Sequence, residues 1–273
     1  MSHRPLSLLL VAPALAVILL LFVVPLVASV VGAFEVGDGF GFGNFVKATE
    51  LYTQDAIFTV VIVSLSTVLI GLFSIAIAGY LTLGENPRTV AILRWLYRWP
   101  MFIPFIVTGQ VLRTFLAKNG LFNNVLISLD ILTPLQAESF LDWRGIVIAF
   151  VWKQTPFVTL LLAGAMASLD RSTIEAARNL GASRLRILFE IVVPQVATTL
   201  LVGLILSFVT MMSVLSVPLM INAQSPTMLT TDIAFRINAY GDYGVANALG
   251  LVSLLITSVV AWIYLRHGVR KSL

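Results

Sequence analysis

Six stretches of this sequence stay apolar for about as long as a helix needs to cross the hydrocarbon of a bilayer, and that repetition constrains the fold more than any other feature. They lie at about residues 6–34, 56–84, 99–117, 143–168, 193–222 and 244–266. Hydrocarbon offers a backbone no hydrogen bonds, so each peptide group in such a run must be satisfied within its own segment, which selects α-helices. A water-soluble fold would have to cover 59% hydrophobic residues with 11% charged ones, at a mean hydropathy of +0.98. The sequence therefore predicts an all-α membrane protein of six transmembrane helices, one domain over residues 1–273 with its core at 56–266. Pro100, Pro104, Gly109 and Arg113 interrupt the third run. Pro100 suits a helix start and Pro104 the first turns, where a missing N–H matters little. The first run, from Leu6 to Phe34, far exceeds the apolar core of a cleavable signal, so an uncleaved first helix is expected.

Basic residues orient these helices. With a cytoplasmic N-terminus, the inner segments hold Arg4, then Arg88, Arg94 and Arg98, then Arg171, Arg178, Arg184 and Arg186, and finally Arg266, Arg270 and Lys271, eleven of the 17 basic residues. The outer segments hold Lys47, Arg113, Lys118, Arg144 and Arg236, and Lys153 falls within a run. Positive residues gather on the cytoplasmic side, so both termini are expected there. The net charge of +4 and the pI near 9.6 follow from that topology and need no nucleic-acid partner. Cysteine is absent, and His3 and His267 sit near the ends. No disulfide, metal site, cofactor or catalytic residue is expected, because no acid, base and nucleophile converge.

The basic segment between the fourth and fifth runs carries the sharpest local signals. Ser172-Thr173-Ile174-Glu175 fits a capping box, in which the Ser172 hydroxyl and the Glu175 carboxylate satisfy the free N–H groups of a helix start. Gly181 suits the left-handed residue that closes a short helix, and Ser183 the cap of a second. In that second helix Leu185, Leu188, Phe189 and Val192 recur at i, i+3, i+4 and i+7, giving one apolar stripe. The segment is thus predicted as helix, turn, helix, with Ala176 and Ala177 keeping the first helix thin enough for another backbone to approach. DNA-binding proteins also pair two helices across a glycine turn, but apolar runs this close on both sides argue against that use.

Glu175-Ala176-Ala177, then Gly181, Ile191 and Pro194, read E-A-A-x3-G-x9-I-x-V-P, closely resemble the EAA loop of permease subunits of bacterial ABC importers. Val193 stands where that family most often has Leu, and keeps the position apolar. Pro100-x3-Pro104 and Gly120-Leu121-Phe122-Asn123 look like stretches common in the same superfamily. The resemblance implies a multi-pass permease of the bacterial cytoplasmic (inner) membrane with a cytoplasmic coupling loop at 170–194. Glu175, Ala176, Ala177, Leu180, Gly181, Arg184, Ile191 and Pro194 would contact a separate ABC ATPase dimer. A second permease subunit, the same or different, and an extracytoplasmic solute-binding protein would complete the machine. No Gly-Lys dipeptide occurs, so a phosphate-binding loop is absent and ATP hydrolysis belongs to a partner rather than to this chain.

Solute-path candidates are the polar residues inside runs. Lys153, Gln154 and Thr155 precede Pro156 in the fourth run, and an ammonium at such depth either faces a cavity or snorkels to the interface. Thr108, Gln110, Ser213 and Asn222 are further candidates, with helix-to-helix hydrogen bonding the plainer alternative. Asn179 before Leu180-Gly181 resembles the polyamine, iron, thiamine and organophosphonate branch, where sugar permeases commonly have Asp, yet no carboxylate sits firmly inside a run to serve a polycation. Lys153 suits an anionic or neutral solute, so the substrate is open between these classes and sugars. A secondary transporter or channel without an ATPase partner is the rival reading; the inverted repeats common in such proteins are not evident.

Overall fold

In the computed structural model of the chain, the described residues are 4–222 and 224–269, and they are mostly helical. His3, Arg270 and Lys271, which entered the reading of the termini, lie outside them. Helix α1 (Arg4–Ile18) runs through a π-helical turn (Leu19–Val23) into α2 (Val24–Phe34). Pro25 has no amide for the Leu21 carbonyl, and the ladder widens just before it. Against the all-α expectation, a small hairpin follows, pairing β1 (Glu35–Val36) with β2 (Gly39–Phe40). Gly37, at φ +59°, supplies the left-handed turn residue there, in a glycine-rich stretch that would weaken a helix.

Helix α3 (Gly43–Leu83) has 41 residues, about 60 Å at 1.5 Å per residue, so it starts well before the expected residue 56 and exceeds the hydrocarbon layer twofold. Then come α4 (Pro87–Leu96), a 3₁₀ turn (Trp99–Phe102), α5 (Phe105–Leu116), α6 (Leu121–Ser128) and α7 (Trp143–Ala167). Short helices α8 (Arg171–Asn179) and α9 (Arg184–Ile187) lead through a π turn (Leu188–Val192) to α10 (Val193–Gln195), α11 (Ala197–Ser213) and α12 (Ser216–Ile221). Helix α13 (Leu229–Phe235), a further π turn (Arg236–Tyr240) and α14 (Tyr243–Val269) complete the order.

Among the described residues, four helical stretches are long and apolar enough to cross a membrane: Val11–Phe34, Gly43–Leu83, Trp143–Ala167 and Tyr243–Ile263. Two bent pairs raise this to six if each is one span, Pro87–Phe102 with Phe105–Ser128 at 106° and Arg184–Gln195 with Ala197–Ser213 at 75°. The third and fifth runs are therefore not straight helices. Pro104 caps α5 rather than lying in its first turns, and Val196, Val214 and Leu215 separate α10, α11 and α12.

Two compact units are distinguished, Met1–Gln54 with Asp232–Leu255, and Asp55–Thr231 with Ile256–Leu273. In the first, the Ser29 hydroxyl donates to the Asn247 side-chain oxygen at 2.9 Å, and the Asn44 amide donates to the carbonyls of Ala33 and Glu35. The second holds the larger core, where Phe150, Ile146, Val158, Met211 and Ile70 are fully buried between α3, α7 and α11. Its lower cluster joins Ala78 and Leu83 of α3, Leu162 and Met166 of α7, and Ile174, Ile187, Leu188 and Val192 of the 170–194 loop. In the same unit Asp55, buried within α3, accepts from the Thr227 amide at 2.7 Å, while the Thr59 hydroxyl accepts from Leu229 at 3.0 Å. This acid thus anchors the segment before α13.

Candidate functional site

The 170–194 loop has the helix, turn, helix form, with one change at its start. Asp170, not Ser172, is the N-cap of α8: its carboxylate accepts from the Ser172 amide at 2.9 Å and from the Ser172 hydroxyl at 2.7 Å. A charged cap displaces a neutral one here and occupies the hydroxyl that a Ser172–Glu175 box would need. These bonds, the side-chain one foremost, hold the Asp170 carboxyl below the usual carboxylate range. At the other end Gly181 has φ +82°, with its amide on the Arg178 carbonyl at 2.9 Å and the Ala182 amide on Ala177 at 3.0 Å. That pair of bonds is a Schellman closure, and it requires the left-handed residue. Ser183 caps α9 through the Arg186 amide at 3.3 Å.

The apolar stripe differs from its predicted form. Ile187, Leu188 and Val192 are buried, whereas Leu185 and Phe189 are exposed. The π turn adds a residue per turn and rotates the helix face, and Pro194, without an amide for the Glu190 carbonyl, accounts for the turn's position. Leu185, Leu188 and Phe189 line a hollow of about 390 Å³ with Leu72, Ala76 and Tyr80 of α3.

Three contacts bind this loop to the end of α3. The Arg178 guanidinium donates to the Leu83 carbonyl at 3.3 Å, Arg184 forms an ion pair with Glu85, and Gly79 lets Leu188 close in, since a Cβ there would lie 2.8 Å from both Leu188 methyls. None of the three has a signature at short sequence range.

The motif residues divide between two surfaces. Ala177, Leu180, Gly181 and Ile191 line one hollow of about 280 Å³ between the two short helices, with Ala182 and Arg186 beside them. Leu180 is 88% exposed at its rim, an apolar side chain held out at the tip of the loop. Ala176 and Pro194 are exposed as well. Glu175 faces elsewhere, into an arginine-lined cavity shared with Arg171 and Arg178.

The polar-path candidates are scattered over α5, α7, α11 and the end of α12. Lys153 is 9% exposed, so it does not snorkel; its ammonium donates to the carbonyls of Pro100 at 2.8 Å and Met101 at 2.9 Å, 5.4 Å from the centre of the Phe105 ring. Pro104 has no amide to give the Pro100 carbonyl, which keeps only a 3.3 Å bond from the Ile103 amide, and Lys153 supplies a further donor to it and one to Met101. Gln154 and Thr155 are buried beside it, with the Thr155 carbonyl accepting from Ser74 at 3.4 Å. Thr108 is buried without a hydrogen-bond partner for its hydroxyl, and Gln110 is exposed on α5. Ser213 bonds back to the carbonyls of Val209 and Thr210, and the Asn222 side chain shapes the turn toward Pro226. Gly120 and Asn123, noted for their pattern, have structural work: the Asn123 amide reaches the carbonyls of Ala117, Lys118 and Glu138, and a Cβ on Gly120 would collide with the Phe115 carbonyl at 2.5 Å.

Residues 71–271 match the model of a family described as binding-protein-dependent transport system inner membrane component. The chain is 30% identical over 221 residues to the trehalose/maltose transport system permease protein MalF of Thermococcus litoralis, covering 77% of this chain and 71% of that one. It is 28% identical over 286 residues to the sulfoquinovosyl glycerol transport system permease protein SmoG of Agrobacterium fabrum, covering 97% and 91%. Its fold matches a chain in the crystal structure of a bacterial alginate ABC transporter in complex with an alginate pentasaccharide-bound periplasmic protein, with a TM-score of 0.81 at 20% identity over 96% of this chain and 93% of that one.

Proposed function

The chain belongs to the binding-protein-dependent transport system inner membrane components, as a multi-pass inner-membrane permease subunit of an ABC importer, and from that premise we propose how it couples and what it carries. Docking would take place at the 170–194 loop, with Leu180 and the Ala177–Gly181–Ile191 hollow received by an ATPase subunit in the cytoplasm. The observation that carries this reading is the Schellman-closed tip, which holds a bare apolar side chain outward while Ile174 and Leu188 anchor the loop to α3 and α7. Six spans, counting each bent pair as one, and both termini in the cytoplasm accord with the basic residues on the loop's side. A pair of permeases, a pair of ATPases and an extracytoplasmic binding protein make up the proposed assembly.

The solute we infer is a sugar or glycoside, because the relatives named above carry trehalose, maltose and sulfoquinovosyl glycerol in their own descriptions. This favours the sugar class over the polyamine-type branch suggested by Asn179, an exposed helix-end position with no view of any cavity described above. Thr108, Gln110, Lys153, Gln154, Thr155, Ser213 and Asn222 stay in the proposed path, with Lys153 acting through the break in the third span that it holds. The test is co-expression of the chain with its ATPase and binding protein, reconstitution into liposomes, and ATP-driven uptake of labelled oligosaccharides. Uptake that proceeds without any ATPase would turn the assignment toward a secondary transporter.

A further inference from the structure

A cavity of about 600 Å³ beside α8 is lined by Arg94, Arg98, Arg171 and Arg178, with Tyr97 and the single carboxylate of Glu175. Arg98 donates to the Tyr97 hydroxyl at 3.2 Å and Arg178 to the Leu83 carbonyl, and among the described residues none of the four arginines forms an ion pair with a carboxylate. The cavity thus keeps a surplus of positive charge with donors to spare, which suits an anion bearing several acceptor oxygens.

Arg94 and Arg98 also line a second hollow of about 610 Å³, and its other walls are Trp95, Trp99, Phe102 and Ile103. The spacing explains the juxtaposition: residues 94 and 98 form one i, i+4 ridge, and Trp95 and Trp99, with ring centres 4.6 Å apart, form the next. All three aromatic residues are more than half exposed, Phe102 at 77%. One pair of cations therefore stands between a charged chamber and an apolar one, beside the 106° break between Pro87–Phe102 and Phe105–Ser128, and the paired tryptophans are of the kind enriched where helices meet the membrane interface. A free anion would leave the aromatic chamber unused.

We propose that this double cavity binds an anionic phospholipid, its phosphate held among the arginines and an acyl chain laid along Trp95, Trp99 and Phe102, so that the lipid braces α4 against α8. Basic pockets between helices near an anionic leaflet recognise such headgroups on the same physical grounds. The braced element is α8, the element that carries Glu175 and Arg178, so occupancy would stiffen the loop.

The test uses the assembled transporter in nanodiscs of phosphatidylcholine containing phosphatidylglycerol, with retained lipid counted by native mass spectrometry after delipidation. Wild type should keep phosphatidylglycerol in preference to phosphatidylcholine, Arg94→Gln with Arg98→Gln should reduce that retention roughly thirtyfold, and Arg88→Gln, on the same helix but off the cavity, should not. Millimolar inorganic phosphate or transported sugar should fail to displace the lipid. Equal retention of the two lipids by wild type, undiminished retention in the double variant, or displacement by phosphate or by sugar would overturn the proposal. The wild-type comparison stands even if the double variant fails to assemble.

Discussion

Replacement of Gly181 separates the shape of the loop tip from its packing. Gly181 sits at φ +82° with nothing within 4 Å of where a Cβ would be, so a side chain there meets conformational strain and no collision. An ordinary residue costs about 1 kcal/mol in the left-handed region and a β-branched one about 2 kcal/mol, while Asn tolerates it best. Relief of the strain means leaving that region, which breaks the bonds from Gly181 to Arg178 and from Ala182 to Ala177. If the ATPase accepts only the closed tip, its apparent affinity falls by the fraction of loops that are closed, up to about fivefold for Gly181→Ala and about thirtyfold for Gly181→Val. Surface-plasmon measurement of ATPase binding to detergent-purified permease, beside uptake in liposomes, reads both numbers. Membrane insertion should be unchanged throughout. Binding that ignores the order Asn, Ala, Val, or a Val variant equal to wild type, would show that the left-handed tip is not what the ATPase recognises.

Gly79→Val should push Leu188 out of the lower cluster and lower coupled uptake at least tenfold, with a second change, Leu188→Ala, restoring part of it by removing the colliding methyls; uptake assays of the pair check this. Asp55→Ala should orphan the buried Thr227 amide and reduce stability by roughly 1–3 kcal/mol, whereas Asp55→Asn keeps an acceptor and should lose less, as read from thermal unfolding in detergent. Because the Asp170 carboxyl is held low when folded, its cap is present above the unfolded carboxylate range and is lost only as pH falls through the lower folded value. ATPase binding should therefore be flat from neutral pH down to about 5 and decline near or below the ordinary Asp range of about 4, and Asp170→Asn should flatten that decline, as binding measured across pH would reveal.

What the sequence discloses here is what local chemistry determines. The glycine that closes α8, the serine that caps α9 and the apolar runs each act on residues a few positions away, and they stand where their chemistry puts them. The breaks in the third and fifth runs were also written locally, in Pro104 and Pro194, but their size was not. A proline removes one hydrogen bond, and whether the helix kinks slightly or turns through 106° depends on who supplies the missing donors. For the third run that partner is Lys153, 53 positions from Pro100, so an ammonium that composition marks as a path residue is first of all the donor that permits the bend. Asp55 follows the same logic: its partner is 172 positions away, and nothing near it in the chain distinguishes a buried anchor from a solvated acid.

The distribution of those long-range bonds also bears on how a push on the loop would travel. Ile174, Ile187, Leu188 and Val192 enter one cluster with Ala78 and Leu83 of α3 and Leu162 and Met166 of α7, so the loop cannot tilt without repacking two long helices. Among the described residues, polar ties reinforce only one of them: Arg178 to the Leu83 carbonyl and Arg184 to Glu85 both reach the end of α3. Apolar contacts are non-directional, whereas a helix end whose carbonyl and following carboxylate are held by two guanidinium groups moves with whatever carries them. Displacement of α8 by an ATPase should therefore pass first to α3. That helix also carries Asp55 and Thr59, which hold the residues before α13 and its first residue, so a stroke applied at the loop has a continuous hydrogen-bonded route along α3 to the backbone at Thr227 and Leu229.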